Sequence, residues 1–251
     1  MSRCWLTGAS SGIGAALARL LLEQGHQVAL GARQADRLAS LAEQFPEQVL
    51  LAIGDVDNPQ HIAGITARIE QAWGGLDLAI LNAGTCEYLE PGNFDPAAVE
   101  RVMRTNLLGV SYCMAYALPL LRTGQQPHLV VMGSSVTWLA LPRAGAYGAS
   151  KAAVRYLLES QRIDLAREGI AVTLVSPGFV DTPLTRRNDF PMPQLWTMQR
   201  AARHIVKRLP SRPLEINFPG LFTFALRLLG ALPARLRLAL GQHLARHEQE
   251  R

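Results

Sequence analysis

Short apolar runs alternate with longer helical stretches along most of this 251-residue chain, and no other feature constrains the fold as much. The runs "RCWLTG" (3–8), "QVALGAR" (27–33), "VLLAIGDV" (49–56), "LDLAILNAG" (76–84), "HLVVMGSS" (128–135), "IAVTLVSPG" (170–178) and "EINFPG" (215–220) read as strands. Helical patterns occupy 13–25, 34–45, 59–74, 99–121 and 146–166. Strands separated by helices predict βαβ units and a mostly parallel sheet. The runs are apolar nearly throughout, as a sheet covered on both faces requires. No internal repeat or low-complexity linker breaks the pattern, so one α/β domain over 1–251 is expected, with a parallel sheet of about seven strands between helix layers. In such sheets ligands bind outside the carboxyl ends of the strands. The motifs of interest all lie at those ends.

The composition narrows the class. Hydrophobic residues make up 49% of the chain, which suits a globular core and argues against disorder. No apolar run reaches the ~18–20 residues of a membrane span. The chain enters "CWLTGASSGIG" almost at once, so no signal peptide is expected. Cys4, Cys86 and Cys113 show no metal or disulfide spacing, which fits a reducing cytosol. Charge is unevenly placed: residues 1–185 hold 13 basic and 16 acidic residues, whereas 186–251 hold 12 basic and 4 acidic. The last quarter is therefore a distinct, basic region.

"TGASSGIG" (7–14) joins the first strand to the first helix. Gly8, Gly12 and Gly14 allow a tight turn and close approach of backbone to phosphate. The helix start that follows, with Ser10, Ser11 and Ile13, offers N–H groups to a pyrophosphate. The end of the second strand chooses between dinucleotides. An acid there would bond the ribose of NAD, and an arginine can hold the 2′-phosphate of NADP. The strand ends Ala32, Arg33 with no acid, so NADP(H) is expected. Asp55 and Val56, after the third strand, are candidates to contact adenine, although Asp55 could equally cap the next helix.

"YGASK" (147–151) places a phenol one helical turn before one of only two lysines in a chain with twenty-three arginines. On a helix Tyr147 and Lys151 share a face. An ammonium beside a phenol favours the phenolate, so the pair could be a tuned acid/base, or simply an ordinary exposed helical turn.

Taken together, "TGASSGIG", "NAG" (82–84), "RTNLLG" (104–109), the serine before "YGASK", and "SPGFVDTP" (176–183) resemble the short-chain dehydrogenase/reductase family. The resemblance covers roughly residues 3–183 in order. It implies a Rossmann-type doubly wound fold and an NAD(P)-dependent oxidoreductase acting on a ketone or secondary alcohol. It also implies residue roles. Tyr147 would be the general acid/base. Lys151 would lower its pKa and bind the nicotinamide ribose. Ser134, with Ser135 as competitor, would hydrogen-bond the substrate oxygen, and Asn106 would prop a water chain to the lysine. Asn82, Ala83 and Gly84 would support the adenine ribose and the sheet, with Leu81 replacing the family's first asparagine. Pro177 and Gly178 would line the nicotinamide, and Val180 and Thr182 would contact its carboxamide. The family usually forms dimers or tetramers through the helices carrying Asn106 and Tyr147, so a homo-oligomer is implied. The alternative function is a regulatory or scaffold protein that binds NADP(H) without turnover.

Past Thr182 the resemblance weakens. Residues 183–212 fall where the family keeps a mobile substrate lid, and Phe190, Met192, Leu195, Trp196 and Met198 could cover an apolar pocket or simply pack on the core. The segment from 218 onward mixes apolar residues with Arg227, Arg235, Arg237 and Arg246 and is broken at Pro233. It reads as basic amphipathic helix: a membrane-surface contact, a dimer interface, or a flank of the substrate pocket. His243 and His247 have metal-compatible spacing but no third ligand, so no metal is expected. The charge alone, with no recognisable module, does not indicate nucleic-acid binding.

Overall fold

The structure, a computed structural model, describes residues 1–249, with side chains to residue 245. The strands are β1 (Arg3–Leu6), β2 (Gln27–Ala32), β3 (Val49–Ile53), β4 (Leu78–Leu81), β5 (His128–Met132), β6 (Ala171–Pro177), β7 (Val180–Asp181), β8 (Trp196–Thr197) and β9 (Glu215–Phe218). The helices are α1 (Gly12–Glu23), α2 (Ala39–Gln44), α3 (Pro59–Trp73), α4 (Pro96–Met103), α5 (Gly109–Arg122), α6 (Gly145–Ala166), α7 (Met198–Arg208), α8 (Gly220–Gly230) and α9 (Ala234–Gln249).

Seven strands form one parallel sheet in the order β3-β2-β1-β4-β5-β6-β9. Side-chain alternation along each strand feeds two cores, one per face. In β1, Cys4 and Leu6 face a core shared with Leu17 and Leu21 of α1 and Ile205 of α7. Trp5, between them, faces the opposite core with Ile62 of α3, Val110 of α5 and Val154 of α6. Burial on both faces explains why the strands carry unbroken apolar runs rather than an alternating pattern. From β1 the chain builds outward to β2 and β3, then returns to place β4 on the other side of β1. This reversal opens a crevice at the carboxyl ends of β1 and β4, where ligands of such sheets bind.

Local chemistry sets the element ends. Gly25, just past α1, takes φ 81°, a left-handed conformation that costs a glycine little. Asn58 caps α3 by accepting from the N–H groups of Gln60 and His61 at 2.9 and 3.4 Å. Asp55 is therefore not the cap; its carboxylate accepts from the Asp57 N–H at 3.1 Å within the preceding turn.

Three other expectations change. The helix read over 34–45 is a 3-10 turn at Asp36–Leu38 followed by the short α2. The helix read over 99–121 is interrupted by a π-helical turn at Arg104–Leu108 that separates α4 from α5. The lid read over 183–212 is shorter, because α7 is core: Ala201, Ala202, Ile205 and Val206 are buried against α1 and the sheet. Trp196 stacks on Phe218 with ring centroids 5.0 Å apart and so belongs to that core, as does the partly buried Met198. Of the 183–212 segment, Pro183, Leu184 and Thr185 line the smaller of two cavities at the carboxyl ends of the central strands.

Candidate active site

Two adjoining cavities lie at the carboxyl ends of the central strands, of about 380 and 210 Å³, sharing Gly8, Ser11, Ala83, Gly84 and Thr85 in their walls. Ser10, Arg33, Asp55 and Val56 line the larger. Gly12, Ile13, Asn82, Ser134, Tyr147, Lys151, Pro177, Gly178, Val180 and Thr182 line the smaller. Gly14, Asn106 and Ser135 line neither, and nor do the pocket-cover candidates Phe190, Met192, Leu195, Trp196 and Met198.

The glycine loop is shaped by sterics. Gly8 and Gly12 have φ of 67° and 59°. A Cβ on Gly14 would lie 2.0 Å from the Gly8 carbonyl oxygen, so only hydrogen fits there. Asn82 staples the loop to β4: its Nδ2 donates to the carbonyls of Thr7 and Gly8 at 3.1 and 3.2 Å. The Thr7 hydroxyl accepts from the N–H groups of Asn82 and Ala83 at 2.9 and 3.0 Å. The start of α1 carries no side-chain cap from Ser11 and no acid in its first turn. An uncapped helix start above a glycine cradle suits an anionic diphosphate. Arg33 is exposed, lines the larger cavity, and makes no hydrogen bond among the described residues. These features fit a dinucleotide with its phosphates on the loop.

The smaller cavity brings three polar side chains together. Tyr147 and Lys151 project from one face of α6, with Lys151 Nζ 5.9 Å from the Tyr147 ring centroid. Ser134 lies two residues past the end of β5, where its hydroxyl accepts from the Val136 N–H at 3.2 Å and sits beside the phenol. Ser134, not Ser135, faces the cavity; Ser135 is buried in the 3-10 turn that follows. Burial pushes Tyr147 up to about 12, and the Ser134 hydrogen bond works against that rise. Burial also lowers Lys151 to about 8. The sequence suggested a phenol lowered by its lysine neighbour. In this structure burial sets the direction of the shift, and the Lys151 ammonium donates to the Met132 carbonyl at 2.8 Å.

Asn106 is fully buried in the π-helical turn. Its Oδ1 accepts from the Thr85 N–H at 2.8 Å, and its Nδ2 donates to the Thr85 carbonyl and the Ser150 hydroxyl, both at 2.9 Å. Ser150 in turn donates to the Tyr147 carbonyl at 2.8 Å. Asn106 thus ties the strand-end loop after β4 to the helix that carries Tyr147. A Cβ on Gly84 would lie 3.1 Å from Asn106 Oδ1 and 3.5 Å from Lys151 Nζ, so glycine keeps that junction open. A π-turn widens the helix at one point and recurs at functional sites.

Sequence reading missed several contributors. Ser150 lies inside "YGASK", and its position one turn after Tyr147 was the available signal. Thr7 was legible only as the hydroxyl at the end of a strand. Tyr88 carried no signal: its hydroxyl donates to Asn188 Oδ1 at 2.6 Å, and its ring meets Phe190 edge-on at 5.9 Å. Phe179 contacts both Phe190 and Phe222, at 6.0 and 5.6 Å between centroids. This aromatic wall stands beside Gly178, where an added Cβ would lie 2.9 Å from the Phe222 ring. Arg143 lies over the Tyr88 ring at 5.4 Å and pairs with Glu90 and Asp189 at 2.8 and 2.9 Å, fastening the lid to the loop after β4. Among the described residues no cluster of His, Cys, Asp or Glu could hold a metal ion, and the His247 side chain lies outside them.

Comparison with known proteins agrees with this geometry. The family model "short chain dehydrogenase" matches residues 3–191. An uncharacterized oxidoreductase of Mycobacterium tuberculosis is 32% identical over 239 residues, 92% of this chain and 94% of that one. A cis-4-hydroxycyclohexanecarboxylate dehydrogenase of Sinomonas cyclohexanicum is 36% identical over 214 residues, 84% of each chain. The crystal structure of a short chain dehydrogenase from Burkholderia cenocepacia in complex with NADP superposes with a TM-score of 0.82 at 26% identity, covering 97% of both chains. The chain belongs to the short-chain dehydrogenase family, the NAD(P)-dependent oxidoreductases that act on CH–OH and C=O groups.

Proposed function

We propose that this protein is an NADP(H)-preferring carbonyl reductase or alcohol dehydrogenase acting on an apolar ketone or secondary alcohol. The observation that carries the reading is the convergence of Ser134, Tyr147 and Lys151 on one small cavity that adjoins the glycine cradle. Arg33 would hold the 2′-phosphate of NADPH and Pro177, Gly178, Val180 and Thr182 its nicotinamide, and the cofactor when bound would supply the hydride for the carbonyl carbon. Tyr147 gives its phenolic proton to the carbonyl oxygen. Burial keeps that phenol protonated, the form that reduction needs. The Ser134 hydroxyl donates to the same oxygen as negative charge grows on it. Lys151, freed from the Met132 carbonyl, holds the cofactor ribose and favours the phenolate left behind. Asn106 and Ser150 fix the position of α6 relative to the loop after β4.

An apolar substrate is supported by the aromatic cluster of Tyr88, Phe179, Phe190 and Phe222 packed behind Gly178. Arg143, beside that wall, is committed to Glu90 and Asp189, so it offers little to a substrate anion. The Sinomonas relative, named for a ring-borne secondary alcohol that also carries a carboxylate, supports a cyclic substrate and does not bear on the apolar one. Exposed Tyr116 on α5 and Tyr156 and Ile163 on α6 support a homo-oligomer formed through these helices. Free Cys4, Cys86 and Cys113 support a cytoplasmic location. NADPH oxidation with a panel of cyclic, open-chain and polyhydroxylated ketones tests the reading. Apolar cyclic ketones are expected to exceed sugar-like ketones in kcat/KM by roughly tenfold or more. Turnover confined to polyhydroxylated ketones, or none with any carbonyl, would count against it.

A further inference from the structure

The last two helices leave apolar surface uncovered. α9 carries Leu236, Leu238, Leu240 and Leu244, yet none of its described side chains is buried, and Leu236 and Leu238 are 55% and 62% exposed. A lone helix of this length is marginal in water unless an apolar face finds cover. α8 extends the same character. Thr223 and Leu226 turn inward, while Leu221, Phe224 and Leu228 form a stripe at i, i+3 and i+7 that is 74%, 59% and 57% exposed.

The charges around this surface have one sign. The sequence holds no acidic residue between Glu215 and Glu248. Arg235 and Arg237 alternate with Leu236 and Leu238, are exposed, and make no hydrogen bond or ion pair among the described residues. Arg227 behaves differently: it pairs with Glu215 and lies over the Trp138 ring at 4.5 Å. That contact anchors α8 to the loop after β5. So does Gly230, where an added Cβ would lie 1.9 Å from the Trp138 carbonyl oxygen. On its inner side α8 places Phe222 against Gly178 in the wall of the active site. One short helix therefore joins the uncovered surface to the substrate cavity.

We propose that α8 and α9 dock this protein on an anionic lipid bilayer. Leu221, Phe224 and Leu228 enter the acyl boundary, and Arg235 and Arg237 meet headgroup phosphates. A second copy of the chain fits this face poorly, because a two-fold contact would bring Arg235 and Arg237 against the same cationic residues of the other copy. That the bilayer also delivers an apolar ketone past Phe222 rests on the oxidoreductase reading above; the docking does not.

Vesicle sedimentation tests it, with phosphatidylglycerol/phosphatidylcholine vesicles against pure phosphatidylcholine at low and high salt. The protein is expected to pellet with the anionic vesicles at low salt and be released by high salt. Arg235→Glu/Arg237→Glu should weaken partitioning at least about thirtyfold, from the surface attraction of two arginines. Leu221→Asp/Phe224→Asp should abolish it. All four positions are exposed, and NADPH binding in lipid-free buffer checks that each variant is folded and reads the oxidoreductase proposal separately. Wild-type protein that stays in the supernatant with anionic vesicles at low salt would overturn the docking. So would an oligomer in gel filtration that Leu221→Asp/Phe224→Asp dissociates, which would assign the face to a second copy.

Discussion

Tyr147→Phe is expected to lower kcat for ketone reduction by roughly 10²–10⁴-fold, the range for loss of a positioned acid. NADPH affinity should stay close to wild type. The substitution removes one oxygen and keeps the ring, whose position on α6 is held by backbone and by the Ser150 bond to the Tyr147 carbonyl. Removing the phenol also removes the partner of Ser134, so Ser134→Ala added to Tyr147→Phe should cost far less than Ser134→Ala in wild type. A double-mutant cycle on kcat reads that difference. Equal turnover in Tyr147→Phe would place the acid elsewhere. An equal loss of NADPH binding would turn the tyrosine into a cofactor contact.

Gly14→Ala is the second large effect. The new methyl would lie 2.0 Å from the Gly8 carbonyl oxygen and 2.5 Å from Asn82 Nδ2. The nearer of these is backbone in the loop itself, so relief requires α1 to move away from the sheet. That movement would open the core in which Leu17, Ala18 and Leu21 are buried. Overpacking of this kind costs on the order of 1–3 kcal/mol or more, and here it also distorts the loop expected to bind phosphate. A lower Tm together with loss of NADPH binding is the expected result. Gly64→Ala is the matched control. Gly64 lies within α3, and an added Cβ meets nothing within 4 Å, so alanine there should stabilise by ~0.5–1 kcal/mol. If Gly14→Ala bound NADPH like wild type, the loop would not be the rigid cradle described.

The sheet was legible because burial on both faces writes a continuous apolar run, as in "HLVVM" of β5. The glycine loop was legible because its glycines answer to positive φ and to close backbone contact, constraints that few other residues satisfy. Helical spacing put Tyr147 and Lys151 on one face, but only the resemblance carried by the other motifs made the pair a catalytic candidate. Other features had no local signature. The π-turn at Asn106 depends on bonds to Thr85 and Ser150, residues distant in sequence. The division of 183–212 into a short lid and a core helix depends on α7 packing against α1, which no pattern within the segment announces. The rise in the Tyr147 pKa depends on burial, a property of the whole fold that no local spacing announces.

The most direct test of the central claim is a titration of the purified protein with NADPH and NADH, followed by nicotinamide fluorescence and repeated with Arg33→Ala. The account predicts that NADPH binds more tightly. Arg33→Ala should then weaken NADPH by roughly 10–100-fold, the worth of a charge-assisted hydrogen bond to phosphate, while NADH affinity barely changes. Equal or tighter binding of NADH by the wild-type protein would contradict the role given to Arg33 and to the acid-free end of β2.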